Sequence, residues 1–213
     1  MGYNSMSEDE IKAAVVEEGR KRFLSIGIAG TQMNLIAKSV GISRSTLYLY
    51  FPSKVELVFT VSRALMDDIS RGVAQHVASA GCASGFDEVH AHLSYLLSYY
   101  KENANVARFF DEFDAIYSGD YPDVEETRRY ASDMAEHMKI GIHAQVARGQ
   151  ADGSIRGDMD TKVLGSILID GLYGMIQRIL PRKTHIEQEH NVSVSTVSDL
   201  FLTLLENEIK SVP

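Results

Sequence analysis

The sequence is short of the features that most often announce chemistry. It holds one cysteine, Cys82, so no internal disulfide framework is available, and a reducing compartment, the cytoplasm, is the expected location. No apolar run approaches the roughly 18 residues a bilayer-spanning helix needs. The nearest, Val163 to Leu180, is interrupted by Asp170 and Gln177. The N-terminus has no charged start followed by an apolar stretch, so no secretory signal is expected. HExxH, paired-cysteine and phosphate-loop motifs are missing. His90 and His92 are two apart and point to different helix faces, and Glu187-x-x-His190 occurs once, where di-iron bundles use that spacing twice. No catalytic residue, metal or cofactor is therefore expected, and all seven histidines read as surface or satisfied core residues. Period-two alternation long enough for a sheet is absent as well, so the fold reads as all-α.

Positive charge is also scarce. The net charge of −8 argues, taken alone, against a nucleic-acid partner, because phosphate contacts need Lys and Arg. Its distribution reverses the objection. Residues 1–54 hold Lys12, Arg20, Lys21, Arg22, Lys38, Arg44 and Lys54 against Glu8, Asp9, Glu10, Glu17 and Glu18, a balance of +2, which leaves −10 on the remainder. A small basic module thus precedes an acidic body.

That module has an internal order. Residues 1–6 carry no periodic signal and are expected to fray. Ser7-Glu8-Asp9-Glu10 is a capping box, followed by Ile11, Val15, Gly19, Phe23 and Ile26 along one face of a helix ending near Gly27. Its cluster Arg20, Lys21, Arg22 suits either a solvated face or phosphates. Thr31 is placed to cap a second helix, whose Met33, Ile36, Ala37 and Val40 share a face. Gly41 suits the left-handed position that ends it, Ile42 plugs the turn, and Ser43 can cap a third helix from Arg44 to Tyr50. Two short helices joined by a tight turn containing Gly are a DNA-reading arrangement. Leu47 and Phe51 face the small core, while Arg44, Ser45, Thr46 and Tyr48 point away. Pro52 stops the helix, and Ser53-Lys54-Val55-Glu56 is a second capping box. Lys54 then sits where its charge opposes the helix dipole, a placement that a phosphate partner would explain.

The stretch Gly30 to Glu56 resembles the N-terminal signature of the tetracycline-repressor-like (TetR/AcrR) family of bacterial transcription regulators. Thr31, Ile36, Ala37, Gly41, Ser43, Thr46, Leu47, Tyr48, Tyr50, Phe51, Ser53, Lys54 and Leu57 fall in register with it. The family usually carries Gly where this chain has Ser45, which bears on how closely the backbone approaches a base edge. The resemblance implies an N-terminal three-helix helix-turn-helix domain, 1–52, and a larger helical effector-binding and dimerisation domain, 53–213. It further implies DNA contacts at Thr31, Ser43, Arg44, Ser45, Thr46, Tyr48, Tyr50 and Lys54, with Arg44 the first choice for base readout because its guanidinium can bond a guanine edge twice.

The body continues helically. A connecting helix carries Leu57, Val61, Leu65, Ile69 and Val73 to about Ala80, and Gly81 to Gly85 reads as a linker. Helices are expected over Phe86–Lys101, Val106–Tyr117 and Val124–Gln150; an irregular Ser154–Gly157 follows, then helices from the Asp160 cap to Leu180 and over Ser195–Lys210. The last two are unusually apolar, through Val163, Leu164, Ile167, Leu168, Leu172, Met175, Ile176, Ile179 and Leu180, and through Val197, Leu200, Phe201, Leu204 and Leu205. In the family such helices form a four-helix dimer interface; the alternative is burial within one monomer. Tyr99, Phe109, Phe113, Tyr117, Met134, Met138 and Tyr173, with His137, Gln145 and Asp170 as polar groups, suit a small-molecule effector pocket, although aromatic and Met stripes at helical spacing also make plain core.

The expected function is a homodimeric, ligand-responsive repressor, released from a palindromic DNA operator by a small-molecule effector, and not an enzyme. Two alternatives stay open: a helical enzyme or metal-binding bundle that keeps the helix-turn-helix for packing, and a constitutive DNA-binding protein without an effector.

Overall fold

Helix boundaries follow from short-range hydrogen bonds, which position the reading module. The computed structural model describes residues 6–211; the expected fraying of 1–6 falls outside that range except for Met6. Helix α1, Glu8–Gly30, opens on the Ser7/Glu10 capping box and is broken at Gly27, whose φ of 86° is left-handed. Helix α2 is Met33–Val40, α3 Arg44–Tyr50, α4 Lys54–Ser79 and α5 Gly85–Glu102. Helix α6 is Ala104–Ile116 and α7 Glu125–Met138; a π-helical turn, Lys139–His143, joins α7 to α8, Ala144–Asp152. Helices α9, Thr161–Ile179, α10, Lys183–His190, and α11, Val194–Ile209, complete the chain. The fold is all-α. Among the described residues the β-like pairing is one isolated antiparallel bridge, Ile155 with Lys210. No single helix among them is long and apolar enough to cross a membrane.

The chain divides into two compact units, Met1–Met66 with Phe109–Asp133, and Asp67–Arg108 with Met134–Pro213. These differ from the 1–52 and 53–213 division read from the sequence. Pro52 ends a helix, yet the first half of α4 and residues 109–133 pack with the N-terminal helices.

In the first unit, Val15, Phe23, Ile36, Leu47, Leu57 and Val61 are fully buried. Gly19 leaves room for Leu57, whose Cδ2 lies 3.2 Å from where a Cβ would stand. Phe59 is the hub of an aromatic cluster, 5.0 Å from Phe113, 4.9 Å from Tyr117, 5.2 Å from Tyr121 and 5.4 Å from Tyr130, all edge-on. Arg63 of α4 binds Glu126 and Asp133 of α7 at 3.2 and 2.7 Å.

In the second unit α5 lies against α8, where a methyl group at Gly85 would overlap the backbone of Gly149. The Gly85 amide donates to the Asp152 carboxylate at 2.7 Å. Ser154 to Arg156, irregular in sequence, pairs with the end of α11: Arg156 N donates to Ile209 O at 2.9 Å, and Ser211 N to Ser154 O at 3.3 Å. Helix α9 packs on α11 through Gly171 and Phe201.

Two local expectations are corrected, and α10 is a helix that the sequence did not announce. The single helix over Val124–Gln150 is interrupted at the π-helical turn, where Gly141 is non-helical at φ −92° and ψ −110°. Helix α10 lies in a stretch without apolar periodicity; only Ile186 of it is buried. Ile26 is exposed and Ile28 takes its place in the core, because the break at Gly27 rotates the chain between them.

Candidate nucleic-acid interface

Helix α2 ends on Gly41 at φ 81°, with Gly41 N bonding to Lys38 O and Ile42 N to Ala37 O, and Ile42 is buried beneath the turn. Ser43 then caps α3, accepting from Thr46 N at 3.0 Å. The same hydroxyl meets Ser45 Oγ at 2.8 Å and Thr46 Oγ1 at 2.7 Å, so three hydroxyls form one chain at the start of the helix. Leu47 and Phe51 are buried as expected. Arg44 and Ser45 are exposed, and Thr46, Tyr48 and Tyr50 are half-buried. The Arg44 guanidinium lies over the Tyr48 ring at 5.4 Å and the Lys12 ammonium over the Tyr50 ring at 5.5 Å. Both tyrosines therefore carry a cation on one face, although the Lys12 ammonium is also paired with Glu8 at 2.6 Å.

The basic cluster of α1 divides in use. Arg22 bonds Glu18 at 2.6 Å and reaches Ser39 of α2 at 2.8 Å, so it braces the first two helices.

Thr31 requires correction. Its side chain is buried, and its hydroxyl donates to Gly27 O at 2.7 Å. Gln32, not Thr31, occupies the cap position of α2, without a side-chain cap bond. Because Thr31 Oγ1 closes the break in α1, it is spent internally and not offered to a phosphate.

Lys54 behaves differently from a free surface lysine. Its Nζ lies 3.4 Å from Ala29 O. Burial lowers its pKa, opposed by the charge of Glu112. The expected Ser53/Glu56 capping box is formed, Ser53 N donating to Glu56 at 2.8 Å and Glu56 N to Ser53 Oγ at 3.2 Å.

Glu112, on α6, was not signalled by the sequence. Its carboxylate accepts from Ile28 N at 2.6 Å and from Ala29 N at 2.7 Å. The two amides are left unpaired by the break at Gly27, and a carboxylate across two successive N–H groups is a strong, charge-assisted contact. A Cβ at Gly27 would lie 2.7 Å from Glu112 Oε2. The positive φ favours glycine there, and a Cβ would push the Glu112 carboxylate off the two amides. A polar residue 84 positions downstream leaves no periodic trace at residue 28.

Nine of the residues expected to line an effector pocket fall into separate groups. Phe109, Phe113 and Tyr117 belong to the first unit, where Phe109 and Phe113 are buried core and Phe113 stands 5.0 Å from Tyr117. Tyr99, Met134, His137, Met138, Asp170 and Tyr173 belong to the second. There Tyr100 is edge-on to Tyr99 at 5.4 Å and to Tyr173 at 5.6 Å. Burial pushes the Tyr173 hydroxyl up to about 12. His137 Nε2 lies 3.4 Å from Asp67, while its Nδ1 is buried without a hydrogen-bond partner. Met134 and Met138 are half-buried. Gln145 meets His92 Nδ1 at 2.8 Å, and burial lowers the His92 pKa, favouring the neutral ring. Asp170 is corrected: it is exposed, on the face of α9 that also exposes Val163, Ile167 and Gly174, and so belongs to an outer face instead of a pocket lining. A separate open depression of about 410 Å³ is lined by His76, Cys82, Asp87, His90 and Ser94 among others, and includes none of the nine.

Residues 15–61 match the family model described as "Bacterial regulatory proteins, tetR family". The chain is 25% identical over 173 residues to the "Probable HTH-type transcriptional regulator ArpR" of Pseudomonas putida, spanning 78% of this chain and 79% of that protein. It is 33% identical over 66 residues to the HTH-type transcriptional regulator RutR of Escherichia coli K12, covering 31% of each. Among solved structures, the transcriptional regulator FadR from Bacillus subtilis in complex with stearoyl-CoA aligns at a TM-score of 0.69 and 16% identity, over 93% of this chain and 99% of that one. A TetR/AcrR-family regulator from Thermobifida fusca aligns at 0.68 and 20% identity, over 94% and 98%. These structural likenesses establish the shared fold. Residues 15–61, which include the capped, outward-facing α3, thus carry the N-terminal module of the tetR family of bacterial regulatory proteins.

Proposed function

We propose that the protein is a homodimeric repressor whose two α3 helices enter successive major grooves of a near-palindromic operator and which a small-molecule effector releases. The observation that carries the DNA-binding part is the chemistry of α3: a helix capped by Ser43 and anchored by Leu47, with Arg44, Ser45, Thr46 and Tyr48 turned away from the core. Arg44 is assigned to a guanine edge, Ser45 and Thr46 to neighbouring base edges or phosphate, and Ser43, Tyr48, Tyr50 and Lys54 to the phosphate backbone. Half-sites about 34–36 Å apart, or a multiple, are required by two-fold symmetry on B-DNA.

Dimerisation through α9 and α11 is supported by their outward faces, where Val163, Ile167, Leu200 and Leu204 are each about half exposed or more. Effector control is supported by the family and by the FadR likeness, whose partner in that structure is stearoyl-CoA. An effector that moves the population from 1:99 to 99:1 must prefer the released conformer by roughly 10⁴-fold. Within the second unit, Tyr99, His137 and Tyr173 are the candidate contacts, with the buried Nδ1 of His137 available to one ligand hydrogen bond.

The test is selection of bound fragments from genomic DNA, followed by affinity measurements across a salt series. The expected result is an inverted-repeat site bound with a steep salt slope. Equal affinity for the selected site and for random DNA of the same length would remove the regulatory reading.

A further inference from the structure

Helix α3 presents an apolar side chain where solvent would favour a polar one. Leu49 is 73% exposed, the highest value for any large apolar side chain among the described residues. Successive helical residues are turned by about 100°, so Ser45 and Leu49, each two positions from the buried Leu47, lie about 200° round from it. They form one i, i+4 line directly across the helix from the core. Arg44 and Tyr48 make the neighbouring line, joined by their cation–ring contact at 5.4 Å. Leu49 is therefore the apolar tip of a ridge whose other members are polar, and Ser45, tied to Ser43 at 2.8 Å, is too short to hold that ridge away from a partner.

We propose that Leu49 is a specificity-determining residue that reads the C5-methyl group of a thymine in the major groove. The proposal rests on α3 being the DNA-reading helix. In that groove each base pair displays hydrogen-bonding atoms, and thymine alone among the unmodified bases adds a methyl group. Leucine has no donor or acceptor, so pressing it on the cytosine amino group or guanine O6 strips those atoms of water and returns no bond. Against a thymine methyl it buries carbon on both sides. One contact thus both favours thymine and penalises the alternatives. Arg44, one line over, supplies the charge that holds the ridge in the groove.

The experiment uses the full-length protein and its selected duplex, with each thymine replaced singly by deoxyuridine, which removes only the methyl group. Wild type, Leu49→Ala and Leu49→Met are compared, with helical content checked by circular dichroism. At one position per half-site, deoxyuridine is expected to weaken wild type about three- to ten-fold, the effect of withdrawing one methyl group from apolar contact. It should leave Leu49→Ala unchanged, while Leu49→Met keeps part of the discrimination. Two outcomes overturn the proposal: deoxyuridine costs wild type and Leu49→Ala alike at every position, or Leu49→Ala changes oligomeric state without changing base preference, which would assign the side chain to a protein contact. Failure of the DNA-reading role itself looks different, because wild type would then show no preference for the selected duplex over random DNA.

Discussion

Helix α3 and the pair α9 and α11 all turn a face to solvent, and those faces differ in chemistry. On α3 the outward side chains are Arg44, Ser45 and Tyr48, with Leu49 the one large apolar member. On α9 and α11 Val163, Ile167, Leu200 and Leu204 recur on outward turns. A polar, cation-bearing ridge stays soluble alone and gains most from a charged partner. An apolar stripe gains most from a second apolar surface and is costly to leave in water. The described residues thus carry two exposed helix faces of different chemistry.

The sharpest way to break that contrast is to give the apolar face the character of the polar one. Ile167→Glu with Leu204→Glu is expected to yield a monomer in sedimentation and to reduce affinity for the full operator by about 10²-fold or more, because two tethered reading heads bind with a large effective concentration and one does not. Binding to an isolated half-site should change little; a persistent dimer would mean that these faces do not pair. Next in size, Arg44→Ala is expected to cost about 1–3 kcal/mol on the selected operator and to relax preference at one base pair, measured by competition binding. An equal loss on random DNA would make Arg44 a phosphate contact.

An effect of similar size concerns what holds the reading unit together. Glu112→Ala leaves the Ile28 and Ala29 amides without their carboxylate and should lower stability by about 1–3 kcal/mol in denaturant unfolding. If Glu112→Ala unfolds at the wild-type midpoint, water satisfies those amides and the clamp is incidental. The smallest is Lys54→Ala, expected to weaken all sequences alike and to flatten the dependence of log affinity on log salt by about 0.9. An unchanged slope would leave Lys54 with only its contact to Ala29 O.

Much of the reading module was legible because its signals are short-range. Ser7 with Glu10, Ser43 with Thr46 and Ser53 with Glu56 each act over three residues, and Gly41 meets a local need for left-handed backbone. Thr31 misled because a hydroxyl ahead of a helix can cap forwards or bond backwards, and the break at Gly27 supplied the competing acceptor. Asp170 misled because the stripe containing it is apolar enough to read as interior. Leu49 was legible in principle, since the helical period sets it about 200° from the core-facing Leu47, but the polar side chains beside it drew the base-reading assignment.

By itself the sequence determined most helix starts and stops, the buried stripes of α2 to α5 and the Ser43 cap of α3, since those depend on hydrogen bonds within one turn and on the 3.6-residue period. Only the tertiary structure decided that Glu112 clamps residues 28 and 29 from 84 positions away, that Gly85 and Gly149 meet backbone to backbone, and which apolar side chains stay in water. Those depend on how separate helices pack, and packing partners leave no periodicity in the segments they join.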